Sequence, residues 1–137
     1  MTVLTRREIL TTSLALIAFT NTKVSAQEVD LGSTALILVG ASWCPICKQA
    51  APVLALLAER RGLPVLVATE DARPIPPFPS FVPLEGHPIA GAIANYPTTL
   101  VFSSRTQTIV GALEGYRDPV HYVGQLNGLL IQAEAIV

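Results

Sequence analysis

The sequence predicts a single α/β domain built on a mixed, four-stranded sheet flanked by helices. One observation is an apolar run, an amphipathic stretch and a second apolar run between residues 35 and 68 with short links, the pattern of a right-handed parallel βαβ unit. Another is the pair of strand-like runs at 98–102 and 106–110 around Ser103-Ser104-Arg105, which reads as a hairpin. Length supplies the third, since 137 residues suffice for one domain and not for two ordinary ones. Half of the chain is hydrophobic, 14% is charged and the mean hydropathy is +0.50, which excludes a disordered or polyelectrolyte class. A formal charge of −1 offers no basic face, so no nucleic-acid partner is expected.

Residues 1–26 read as an export signal. Arg6 and Arg7 precede a modest apolar run at 10–19, and Val24-Ser25-Ala26 offers the small residues that a signal peptidase reads, so cleavage is expected after about Ala26. That run is about half of the ~20 residues a bilayer span needs, and Thr11, Thr12 and Ser13 dilute it. The paired arginines resemble a twin-arginine signal, with Ile9 where phenylalanine is usual; an ordinary Sec signal is the alternative. Either route leads out of the cytoplasm, to the periplasm. Cleavage would remove Arg6, Arg7, Lys23 and Glu8 and leave a domain at 27–137 with six basic and nine acidic residues, a formal charge of −3.

Along that domain, Ala35-Leu36-Ile37-Leu38-Val39 is a strand buried on both faces. A helix is expected from about Cys44 to Arg60, with Ile46, Ala50, Val53, Leu54, Leu57 and Ala58 near helical spacing, Arg60 and Arg61 as a solvated end, and Gly62 as the stop. Pro64-Val65-Leu66-Val67-Ala68 is the parallel partner strand. Prolines at 74, 76, 77, 79 and 83 then mark a surface excursion at about 73–83, followed by a short helix over 87–95. After the hairpin, Asp118-Pro119 opens a last helix with Val120, Val123, Leu126, Leu130 and Ile131 on one side.

The chemistry concentrates at Trp43-Cys44-Pro45-Ile46-Cys47. Two cysteines three apart at a helix start share one face within disulfide reach. Cys44 sits where the free amides and the positive helix end stabilise a thiolate. Cys47, one turn inside, suits the release of a mixed disulfide. Pro45 costs nothing at the first turn, and Trp43 gives an exposed sulfur an apolar shoulder. A Cys-x-x-Cys pair can also be half of a zinc site, but only His87 and His121 are available to complete it, so no metal is assigned. A purely structural disulfide closes so small a loop that it adds little stability. His87 and His121 read as surface or helix residues.

With the surrounding landmarks, the chain resembles the thioredoxin-fold thiol:disulfide oxidoreductases. The resemblance rests on Trp43-Cys44-Pro45-Ile46-Cys47-Lys48 after a buried strand, on Pro52 inside the following helix, on Tyr96-Pro97-Thr98 before a strand and on Gly111, and it spans about residues 34–133. It implies a compact thioredoxin-like fold with a redox-active disulfide between Cys44 and Cys47. It also implies a cis-proline at Pro97 that turns the backbone of Tyr96 toward a strand-like substrate, and a glycine, Gly111, near the substrate groove. Trp43, Pro45, Ile46, Tyr96 and Pro97 are then the substrate-binding residues.

Three departures stand out. Leu38 occupies the position of the family's buried carboxylate, leaving Glu70 or Asp71 as weak candidates for proton transfer. The N-terminal βα unit is missing or reduced. The span from Cys47 to Pro97 is lengthened by the proline-rich segment, which either shapes the partner-binding rim or is a tolerated loop. The expected function is an exported thiol:disulfide oxidoreductase without cofactor, a monomer that exchanges disulfides with partner proteins and is fed by a membrane-bound electron donor, with a lean toward reductant. The competing expectation is a dithiol copper-handling or assembly factor, which lacks extra histidine or methionine ligands because Met1 leaves with the signal.

Overall fold

β1 (Thr34–Gly40) is a run of aliphatic side chains whose last five residues are buried, as befits the central strand of a sheet covered on both faces. The computed structural model describes residues 33–135. The export signal and its cleavage site therefore lie outside the described residues. After β1 come α1 (Pro45–Arg61), β2 (Val65–Thr69), β3 (Val82–Pro83), β4 (Thr98–Ser103), β5 (Thr108–Glu114) and α2 (Pro119–Ala135).

The sheet has five strands in the order β3-β2-β1-β4-β5, one more than the sequence predicts. β1 pairs parallel with β2 and antiparallel with β4, while β5 pairs antiparallel with β4 and β3 parallel with β2. The extra strand, β3, lies inside the proline-rich segment. Pro83 is tolerated there because β3 is an edge strand of two residues, where a missing N–H need not break a ladder.

Alternation along the strands splits the core into two layers. Leu36 and Leu38 of β1 and Val101 of β4 face the helices and join Cys44, Cys47, Leu54, Leu57, Tyr122, Leu126 and Leu130. Ile37, Val39 and Leu100 point the other way, onto Leu84 and Ala90. Residues 82–96 thus cover the second face without a helix. The helix expected over 87–95 is a set of turns, which His87 organises: its Nδ1 accepts from the amides of Ile89 and Ala90, at 3.1 and 3.0 Å.

The helix ends follow local chemistry. Gly62 adopts φ 66°, its N–H donates to Glu59, and the N–H of Leu63 reaches back to Ala58, the paired bonds of a Schellman stop. Asp118 caps α2, its Oδ1 accepting from the amide of His121 at 2.8 Å. On α2 the buried side chains are Tyr122, Leu126, Leu130 and Ala133, whereas Val120 and Ile131, expected inside, are exposed. Helical spacing from Tyr122, an aromatic rather than an aliphatic residue, sets that face. Arg61 is not merely a solvated end. Its guanidinium donates to Asn127 at 2.9 Å and pairs with Glu134 at 3.5 Å, tying α1 to α2.

The hairpin turn also moves. Gln107 takes φ 58°, so β5 starts at Thr108 rather than at residue 106. Past the β-bulge opposite Val101 and Phe102, Gly111 lies under α2, where a Cβ would come within 2.5 Å of Leu129. Its demonstrated role is that close approach.

Candidate active site

Both cysteines are free thiols on the first turn of α1. Cys44 is the N-cap residue, and Pro45 is the first helical residue, where no amide partner is required. The N–H of Cys47 donates to Cys44 Sγ at 3.2 Å, so the sulfur takes the place that a serine or aspartate oxygen usually fills. Cys44 is 6% exposed, not the open sulfur expected from the sequence, and Cys47 is fully buried. Trp43 and Ile46, by contrast, are 58% and 40% exposed and form an apolar rim beside the thiols.

Three long-range contacts hold the turn before Cys44. Asp71 accepts from the amide of Ser42 at 3.1 Å and from its hydroxyl. Glu70 accepts from the Trp43 indole at 3.2 Å. Tyr96 meets Trp43 edge-on, with ring centroids 6.4 Å apart. The two carboxylates weighed as proton carriers are thus engaged with Ser42 and Trp43. Partial desolvation would raise the Asp71 carboxyl, but the hydrogen bonds from Ser42 prevail and hold it below the usual range.

The Tyr96-Pro97 peptide bond is cis, and Pro97 is buried. Its carbonyl accepts from the N–H of Gly115 at 2.7 Å, which anchors this loop to the end of β5. Tyr96 packs on both core layers, and its hydroxyl is pushed up by burial, then by the charges of Glu70 and Cys47.

Sequence reasoning missed Gly40. A Cβ there would lie 2.7 Å from Cys47 Sγ and 3.3 Å from Ile75 Cδ1, so the absent side chain is the space that the second thiol occupies. It missed Ile75 too. In the proline-rich segment, where the sequence predicts a surface excursion, Ile75 is fully buried in the layer that holds both cysteines. Pro76 and Pro77, joined by a second cis bond, line a hollow of about 330 Å³ with Lys48 and Pro52 of α1. Burial pushes the Cys47 thiol up to about 12, reinforced by its hydrogen bond with Cys44. Among the described residues, no three histidine, cysteine, aspartate or glutamate side chains come together to hold a metal.

A buried dithiol on a helix start, beside a buried X-Pro loop and on a mixed sheet, defines a thioredoxin-fold protein of the thiol:disulfide oxidoreductase type. The chain belongs to the TraF: F plasmid transfer operon protein family, whose model matches residues 30–122. It is 26% identical to Protein TrbB of Escherichia coli (strain K12) over 110 residues, which is 77% of this chain and 61% of that relative; the chain thus spans about three fifths of the relative's length. Among solved structures it is similar to a thio-disulfide isomerase from Thermus thermophilus (26% identity, TM-score 0.54, 74% of this chain and 80% of that one). It is also similar to the periplasmic thioredoxin SoxS from Paracoccus pantotrophus (25% identity, TM-score 0.51, 73% of this chain and 98% of that one).

Proposed function

We propose that this protein is an exported, periplasmic thiol:disulfide oxidoreductase that exchanges disulfides with partner proteins through Cys44 and Cys47. The observation that supports it most is the asymmetry of the two thiols. Cys44 sits at the helix N-terminus, where its sulfur accepts the Cys47 amide and lies next to the exposed Trp43 and Ile46, the side from which a partner disulfide can reach it. Cys47 is fully buried one turn behind and stays protonated at neutral pH.

In the reductive direction, Cys44 Sγ attacks a partner disulfide, forming a mixed disulfide and releasing the first partner sulfur as a thiolate. Cys47 then loses its proton and attacks Cys44 Sγ; the Cys44–partner bond breaks, and the second partner sulfur leaves with the electron pair. Trp43, Pro45 and Ile46 form the apolar docking rim, and Tyr96 with Pro97 presents backbone to an extended partner segment. The chain works as a monomer without cofactor, reaches its compartment through the signal at 1–26, and is kept reduced by a membrane-bound donor. Similarity to a periplasmic thioredoxin supports the compartment.

Cys44→Ser is expected to abolish turnover, whereas Cys47→Ser retains attack and accumulates mixed disulfides with the physiological partners. Failure of Cys47→Ser to trap any exported protein would sink the reading. Direction is tested by the equilibrium reduction potential, with the fluorescence of Trp43, the only tryptophan and the neighbour of Cys44, as reporter. A value near about −270 mV supports the reductant, and one near about −120 mV reverses it to an oxidant.

A further inference from the structure

Cys47 must ionise to release a partner; backbone hydrogen bonds at Ala41 and Cys47 favour its thiolate, while the side chains around it are almost wholly apolar. β1 carries no titratable side chain from residue 34 to 40, and neither does β4 from 98 to 103. On the loop before β4, Tyr96 feels the charges of Cys47 and Glu70, and Glu70 is already engaged with the Trp43 indole. On α1, Cys44 is the reaction partner and Lys48 is exposed. From α2, Tyr122 reaches into the layer that holds Cys47 and is 0% exposed, with Tyr116 stacked edge-on against it at 5.1 Å; His121, its neighbour on α2, is half-buried.

The Tyr122 hydroxyl has one partner, Thr99 Oγ1, at 2.7 Å, and either oxygen can be the donor. Thr99 lies directly across the β1–β4 ladder from Leu38, so their side chains share the face beneath the thiols. Other buried hydroxyls of the described residues serve nearby backbone groups: Thr98 donates to the Asn95 carbonyl, Thr69 accepts from the Arg73 amide and Ser103 from the Thr106 amide. The Thr99–Tyr122 pair instead joins two side chains 23 residues apart inside the core.

We propose that the buried Tyr122–Thr99 hydroxyl pair, in the same layer, adds a side-chain dipole to those backbone groups, its O–H turning toward the Cys47 sulfur as the thiolate forms. This rests on the exchange reading above. Tyr122 and Thr99 are positioning residues that move no proton of their own. The Cys47 proton passes to water and then to the departing partner thiolate, while the Cys47–Cys44 bond forms and the Cys44–partner bond breaks. Burial, helped by the charges of Tyr116 and then Cys47 and opposed by the Thr99 hydrogen bond, pushes the Tyr122 hydroxyl up to about 12, so it remains a neutral donor. Because the Thr99–Tyr122 bond can run either way, Thr99 can donate to Tyr122 and free the phenol hydrogen for the sulfur.

The test uses the full chain and 5,5′-dithiobis(2-nitrobenzoate), which reports each step by releasing a coloured thiolate. Cys44 attack releases the first equivalent, and the mixed disulfide is collected at acid pH. A jump to neutral pH then times the second release, by Cys47. Tyr122→Phe and Thr99→Val are expected to slow the second release about tenfold, a shift of one unit in Cys47 ionisation, at every pH below that ionisation. The first release should be unchanged, and Thr99→Ser should keep the parent rate. An unshifted pH profile for the second release in either variant, or equal slowing in Thr99→Ser, overturns the proposal. If Tyr122→Phe does not fold, Thr99→Val against Thr99→Ser decides it alone. A failure of the exchange reading looks different: the reagent chemistry proceeds while no protein partner is trapped.

Discussion

At the scale of single residues, the site depends on space as much as on reactive groups. Cys47 Sγ fits because Gly40 has no Cβ, and buried β1 leaves the strand no direction in which to retreat. The neighbouring Ile75 leaves little slack on the other side. Gly40→Ala is therefore expected to destabilise the reduced domain by about 1–3 kcal/mol through overpacking. It should also misalign Cys47 and slow disulfide closure more than Cys44 attack. Denaturant melts and the two-step reagent assay measure these separately. An unchanged melt would mean that the thiol swings aside freely, and that Gly40 does not set its position.

Among the elements, the turn between β1 and α1 is held from outside by β2's C-terminal extension. Asp71 receives two hydrogen bonds from Ser42, and Glu70 one from Trp43. Asp71→Asn keeps the shape but loses the charge, and should cost about 0.5–1 kcal/mol, since the carboxylate is partly exposed. The sign with pH follows from the direction of the shift. The folded carboxyl ionises more readily than the unfolded one, so its contribution is present above the unfolded value near about 4 and is lost as pH falls through the folded value. Thermal melts on acidification should show the parent's advantage over Asp71→Asn shrinking; a constant gap would assign the effect to shape alone.

The same elements show what the sequence makes legible. Continuous apolar runs announced β1, β2 and β4, and local caps announced the ends of α1 and the start of α2, because those signals lie within a few residues of each other. The Cys-x-x-Cys pair and Pro97 were legible for the same reason. Residues 70–96 were not, since Ile75, Leu84 and Ala90 are buried without any helical or strand period. Nor were Asp71 with Ser42, Glu70 with Trp43, or Tyr122 with Thr99, which meet across separations of 29, 27 and 23 residues.

For the whole molecule, both helices cover one face of the sheet and hold the thiols, while an irregular segment covers the other; Tyr96 packs on both layers. Folding thus places an ionisable sulfur inside a close-packed apolar layer, and the stability of the reduced domain becomes linked to alkaline pH. In the unfolded chain the Cys47 thiol titrates near 9.0, and in the folded domain it is pushed up to about 12. Between those values the unfolded chain has released a proton that the folded domain retains. Stability therefore falls with rising pH across that window, is fully present below about 9, and levels above about 12. Tyr122 is raised by burial as well and adds a slope of the same sign, so the parent alone cannot isolate Cys47. A comparison with Cys47→Ala can, because Tyr122 is common to both chains. The reduced parent should lose denaturant-midpoint stability relative to Cys47→Ala as pH rises from 9 toward 12. Parallel curves across that window would mean that the folded thiol ionises as freely as the unfolded one, and that Cys47 is not held neutral by the layer around it.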